Sequence, residues 1–120
     1  MESHFKLYEY SSILVVEVLM EKFDFFELSE SSAYLRKMLH ERHFPSMIFD
    51  LTKVAFIDSS AFGFLLEIHN SIKKKGNEIV IVCTNQEVLH VMTMLTVPEI
   101  IKVFQSREKA QEYLNINLNL

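Results

Sequence analysis

Asp58, Ser59 and Ser60 stand in a row directly before the apolar stretch Ala61-Phe62-Gly63-Phe64-Leu65-Leu66. Asp and Ser side-chain oxygens accept the unpaired N–H groups of a first helical turn, so the triplet reads as a helix start. A helix N-terminus carries free donors and a positive potential, and both suit a phosphate. A hydroxyl placed there can be phosphorylated without unfolding the chain, and the phosphoryl group adds a charge of about -1.5 to -2 near neutral pH. A partner that covered this surface would then meet a new anion. Pattern alone leaves two accounts open, a plain helix cap and a phosphorylation switch.

Other chemistry finds less support. Ser59 has no Gly-x-Ser-x-Gly elbow around it. Two glycines cannot build a phosphate loop or a dinucleotide fingerprint. Asp50 and Asp58 could be paired carboxylates, but Asp50 reads more simply as the polar end of a strand and Asp58 as a helix-start residue. Of the five histidines, His4, His40, His43, His69 and His90, only His40 and His43 share a helix at a spacing of three. No Cys-x-x-Cys or His-Glu-x-x-His pattern joins them, so the expectation is solvated helix histidines and no metal. Cys83 ends the apolar run Ile79–Val82 and reads as a small buried hydrophobe, not a nucleophile. No enzyme and no cofactor are expected.

The elements that must position the Asp-Ser-Ser triplet follow from periodicity. His4 to Tyr10 alternates as a strand, and Ile13 to Met20 is a second, β-branched strand one short turn away. Glu21 to Phe26 has no clear pattern. From about Glu27 to His43 a stripe of Leu28, Leu35, Met38, Leu39 and Arg42 predicts a helix, ended by Pro45. Met47 to Leu51 reads as a buried strand. The next helix runs to about Lys75, with Ala61, Leu65, Ile68 and Ile72 as its stripe, widened by Phe62 and Leu66. Gly76 stops it, and the cations Lys73-Lys74-Lys75 suit its negative end better than they suggest a phosphate-binding patch. Ile79 to Cys83 is a strand, a helix capped by Thr84 or Asn85 carries Val88, Val91, Met92 and Leu95, and Ile100 to Phe104 is a last strand. Ser106 caps a final helix through Ala110, Tyr113 and Leu114, and the tail 115–120 is expected to fray. The order β-β-α-β-α-β-α-β-α makes an α/β fold with a mixed sheet, because an opening hairpin precedes strands that alternate with helices.

At 120 residues, 49% of them hydrophobic, the chain fits one domain over 1–120. The net charge of -4 argues against a nucleic-acid partner. The longest apolar run, Ile13 to Met20, is interrupted by Glu17 and too short to span a bilayer, so no membrane insertion is expected. A lone cysteine and no signal-peptide pattern point to the cytoplasm.

The segment Met47-Ile-Phe-Asp-Leu-Thr-Lys-Val-Ala-Phe-Ile-Asp-Ser-Ser-Ala-Phe-Gly-Phe-Leu-Leu66 resembles the signature of STAS domains, the sulfate transporter and anti-sigma-factor antagonist family. There an apolar strand ending in Asp-Leu leads through a short loop to Asp-Ser-Ser/Thr-Gly-Leu-Gly at a helix start. Lys75-Gly76-Asn77-Glu78 before Ile79–Val82, and the helix from Val88 to Leu95, extend the resemblance over nearly the whole chain. Ala61 and Phe62 replace the family's first Gly and its Leu, while Gly63 is kept; Glu21-Lys22-Phe23-Asp24 stands for the family's Gly-Glu-Leu-Asp.

The resemblance implies helices packed mainly on one side of the sheet. It also implies an anti-sigma-factor antagonist phosphorylated at Ser59 by a cognate anti-sigma factor that is a serine kinase, and restored by a serine phosphatase. Asp24, Asp58, Ser59, Ser60, Ala61 and Phe62 would meet the partner, the chain acting as a monomer or weak dimer. A constitutive STAS scaffold, or an accessory subunit of a transport or stress-signalling complex, is the alternative. The Phe23, Phe25 and Phe26 cluster has two accounts, an exposed patch for a partner or loop aromatics tucked over the core.

Overall fold

A computed structural model describes residues 4–10, 12–41 and 46–118, and the side chains of all of these but 38–41 and 116–118. The β-branched runs form the centre. Strands β1 (Phe5–Tyr10), β2 (Ile13–Val18), β4 (Ser46–Asp50), β6 (Ile79–Val82) and β7 (Val103–Phe104) lie side by side in that order in one sheet. β1 and β2 form the expected antiparallel hairpin, and every other neighbouring pair in this sheet is parallel. β2, β4 and β6 are covered on both faces, which is why they read as continuous apolar runs and not as alternations.

Period-two alternation divides these strands between two cores. Leu14, Val16, Val18, Met47, Phe49, Ile79 and Ile81 face α1 (Phe25–Glu41), α2 (Ser59–Lys73) and α3 (Gln86–Met94). Ile13, Val15, Ile48, Val80 and Val82 face the other way and meet Ala110 and Leu114 of α4 (Arg107–Leu118). Three helices therefore pack on one side and one on the other. α4 continues into the segment that the sequence leaves to a frayed tail.

Two short strands had no sequence pattern. β3 (Lys22–Phe23) and β5 (Phe56–Ile57) pair parallel in a ladder of their own, Lys22 opposite Phe56 and Phe23 opposite Ile57. They lie in the stretches 21–26 and 52–57, where two-residue strands leave no periodicity to read. The last strand is also shorter than the run Ile100 to Phe104, because Ile100 and Ile101 donate their amides to the Val97 carbonyl in the turn before it.

The helix starts and stops agree with their capping residues. Asp58 caps α2, Asn85 caps α3 through the Val88 amide, and Ser106 Oγ accepts from the Lys109 amide in α4. α2 ends at Lys73, and Gly76 then takes φ +84, a left-handed conformation that glycine adopts without steric cost. α2 buries Ala61, Phe64, Leu65, Ile68 and His69, so Phe64 and His69 belong to a stripe from which the periodicity reading left them out. In α1, Leu28 and Leu35 are buried as expected, with Ser31 and Ser32 between them. The side chains of Met38, Leu39 and His40, and residues Arg42, His43 and Pro45, lie outside the described set.

Candidate functional site

The β3–β5 ladder sets the beginnings of α1 and α2 side by side, and Asp58 ties them together. Its Oδ1 accepts from the amides of Ser60 (3.0 Å) and Ala61 (3.2 Å), the first turn of α2. Its Oδ2 accepts from the Phe25 amide (3.1 Å), the first residue of α1. Asp24 caps α1 in the ordinary way, through Oδ1 and the Glu27 amide at 3.0 Å. One carboxylate thus satisfies amides at two helix N-termini, and both helix dipoles favour its charge.

Ser59 opens α2 beside this carboxylate and is exposed, while Ser60 and Phe62 are half-buried. Ala61 is fully buried, and its amide is already taken by Asp58. Gly63, one turn beyond Ser59 on the same face of the helix, is exposed, and a Cβ there would meet nothing within 4 Å. The fold gives no steric reason for glycine at that position. The phenylalanine cluster is divided: Phe23 is fully buried against Phe64, whereas Phe25 and Phe26 are 67% and 64% exposed. Phe56, two residues before Asp58, is also exposed. The two accounts of the cluster thus each hold for part of it.

Asp50 and Asp58 take separate partners. Asp50 is buried, accepts from the Thr52 amide (2.9 Å) and pairs with Arg107 Nε at 2.6 Å. Glu17 lies opposite Asp50 in the β2–β4 register and on the same face, so two carboxylates stand side by side under α4. Arg107 Nη2 (3.6 Å), Lys53 Nζ (3.2 Å) and the Tyr8 hydroxyl (3.2 Å) hold Glu17. Burial by itself would lower the Arg107 pKa; the hydrogen bond and charge of Asp50, with Glu17, outweigh it and raise it. These residues are up to 99 positions apart, Tyr8 to Arg107, and no local spacing announces the network. Burial pushes the Cys83 thiol above its ordinary value, with backbone hydrogen bonding at Asn85 opposing the shift and the charge of Asp50 adding to it. Among the described residues no group of three or more His, Cys, Asp or Glu side chains could hold a metal ion, and no helix is long and apolar enough to cross a membrane.

The model of the STAS domain matches residues 4–110. The chain belongs to the STAS family. STAS domains are generally non-enzymatic regulators. Solved STAS structures share the fold at low sequence identity. A Thermotoga maritima protein assigned as an anti-sigma factor antagonist is 18% identical with a TM-score of 0.83, over 92% of this chain and 94% of its own. The Bacillus anti-sigma factor antagonist SpoIIAA in its unphosphorylated form is 14% identical with a TM-score of 0.75, over 92% and 96%. The murine anion transporter Slc26a9 is 19% identical with a TM-score of 0.70, over 91% of this chain but 18% of the transporter. No curated protein sequence matches the chain. The expected mixed sheet and four helices of the STAS fold are therefore present, with two additional short strands.

Proposed function

We propose that this STAS domain is an anti-sigma-factor antagonist switched by phosphorylation at Ser59. Unphosphorylated, it binds an anti-sigma factor that is also a serine kinase and thereby frees the sigma factor. The kinase then modifies Ser59, and a serine phosphatase reverses the modification. In this reading the chain is a single non-enzymatic domain of the cytoplasm, a monomer or weak dimer, without nucleic-acid contact or membrane insertion.

The observation that carries the reading is an exposed Ser59 hydroxyl at the start of a helix whose first amides Asp58 already holds in place. A phosphoryl group can be added there without disturbing the core. The bare surface at Gly63 lets a partner approach the helix backbone closely, and the exposed Phe25, Phe26 and Phe56 surround the same corner with apolar surface. The dianion would stand beside Asp58, in the middle of the area a partner must desolvate. Like charges brought together across an interface cost several kcal/mol, and about 1.4 kcal/mol is already tenfold in affinity. Asp24, Asp58, Ser60 and Phe62 would frame the contact, with the buried Ala61 supporting them from beneath.

The test is mass spectrometry after incubation with a candidate kinase-type anti-sigma factor and ATP, beside Ser59→Ala. One phosphate on Ser59, absent from the variant and accompanied by loss of the complex, is the expected result. A stable complex with no phosphate would favour the second reading, a constitutive STAS scaffold or accessory subunit; the same fold occurs within an anion transporter.

A further inference from the structure

At the far end of α2 from Ser59, about ten residues or 15 Å along the helix axis, lies a cleft of about 430 Å³. Its walls are the last turns of α2, the Gly76–Glu78 loop, the turn at Pro98–Ile100, and Lys102. The volume is that of a small-metabolite site. The unusual group in it is His69, a side chain only 3% exposed that nevertheless lines the cleft. Its Nδ1 accepts the Ile79 amide proton at 3.4 Å, which fixes the neutral ring proton on Nε2. Burial, reinforced by the Lys73 charge and opposed by Glu78, lowers the ring's pKa and keeps it neutral. Among the described residues Nε2 has no hydrogen-bond partner, and it is not sealed in the core, so its N–H is left to the cleft.

The charges around it differ in how far they are committed. Glu78 receives the Tyr113 hydroxyl at 3.1 and 3.2 Å. Lys102 Nζ lies 5.7 Å over the Tyr113 ring, a contact that leaves its protons available. Neither Lys73 nor Lys102 pairs with a carboxylate among the described residues. His69 and two cations, Lys73 and Lys102, therefore line one cavity. Glu99 at its rim can accept a hydroxyl or amino proton from the same ligand.

We propose that this cleft is a second binding site, for a small metabolite bearing a carboxylate or phosphate group, held by the His69 Nε2–H and the ammonium groups of Lys73 and Lys102. The site is independent of the Ser59 reading. It shares α2 with Ser59, so a ligand there sits on the helix that presents the modifiable serine.

The test is a titration of the ¹⁵N-labelled chain, above neutral pH, with inorganic phosphate and separately with acetate, against sodium chloride at equal ionic strength. Saturable shifts at the Gly76, Asn77 and Ile79 amides are expected, together with movement of the His69 Nε2 resonance. Lys73→Gln and Lys102→Gln, both exposed and outside the core, should each weaken binding about tenfold, or about 1.4 kcal/mol. Saturation by phosphate alone assigns a phosphate ligand, and by acetate alone a carboxylate. Shifts that rise linearly, are reproduced by chloride, or are unchanged in both lysine variants would overturn the proposal.

Discussion

Asp58 is the residue whose removal should reveal most about how the corner is built. Asp58→Ala deletes the N-cap of α2 and, at the same stroke, the acceptor for the first amide of α1. Loss of an N-cap costs about 1 kcal/mol, within a range of about 0.5–2. The Phe25 bond is solvent-exposed and adds about 0.5–1 kcal/mol, the net worth of an ordinary hydrogen bond. The sum is about 2 kcal/mol. For a domain of this size that corresponds to a fall in Tm of about 6–10 °C, and at a urea m-value of about 2 kcal/mol/M to a midpoint shift of about 1 M. Asp58→Asn separates the two roles. Its carbonyl oxygen can still cap α2, but its NH₂ group faces the Phe25 N–H, donor against donor. It should lose about half as much as the alanine variant, and Ser59→Ala should stay within about 0.5 kcal/mol of the parent. Urea unfolding followed by circular dichroism measures all three. If Asp58→Asn equals the parent, the link to α1 contributes nothing; if it equals Asp58→Ala, the cap on α2 contributes nothing; either way the account of one carboxylate joining two helices fails.

Four further outcomes are expected. Arg107→Ala leaves Asp50 and Glu17 side by side with Lys53 as their remaining cation; it should cost about 3 kcal/mol in urea unfolding, partly recovered by adding Asp50→Asn. For His69 the folded pKa lies below 6.5, so at low pH the unfolded chain binds more protons than the folded one. Stability should fall as pH drops through 6.5 and continue to fall until the folded ring titrates, and His69→Gln should flatten that part of the profile. Cys83, buried and with its thiol pushed up, should resist iodoacetamide in the folded chain and react at the rate of unfolding. Gly63→Ala should stabilise the chain by about 0.5–1 kcal/mol, since the methyl has open space, while weakening any partner that lies close on α2.

The features legible in the sequence were those whose cause is local. β2, β4 and β6 stand out because strands buried on both faces are mostly apolar, and Asp58, Asn85 and Ser106 mark helix starts because a cap acts within three residues. Ser59 could be placed at a helix start for the same reason. The unread features depend on contacts across the chain. Lys22–Phe23 pairs with Phe56–Ile57 over more than thirty residues, and that pairing is what brings the Phe25 amide to Asp58. Glu17 and Asp50 look like polar punctuation until the register sets them together and α4 brings Arg107 to both. His69 carries no sign of its burial, because its acceptor role depends on the amide of Ile79 on the neighbouring strand.

The placement of α4 has a consequence for the order in which the molecule can be completed. A chain is made from its N-terminus at about 5–20 residues per second. β1 through β7 and the three helices of the larger core leave the ribosome before α4 does. During that interval the face formed by Ile13, Val15, Ile48, Val80 and Val82 has no helix over it, and Glu17 and Asp50 lie there without Arg107. Until then that side of the sheet is apolar and carries two adjacent carboxylates. Docking of α4 covers the apolar stripe and brings Arg107 to both carboxylates in the same movement.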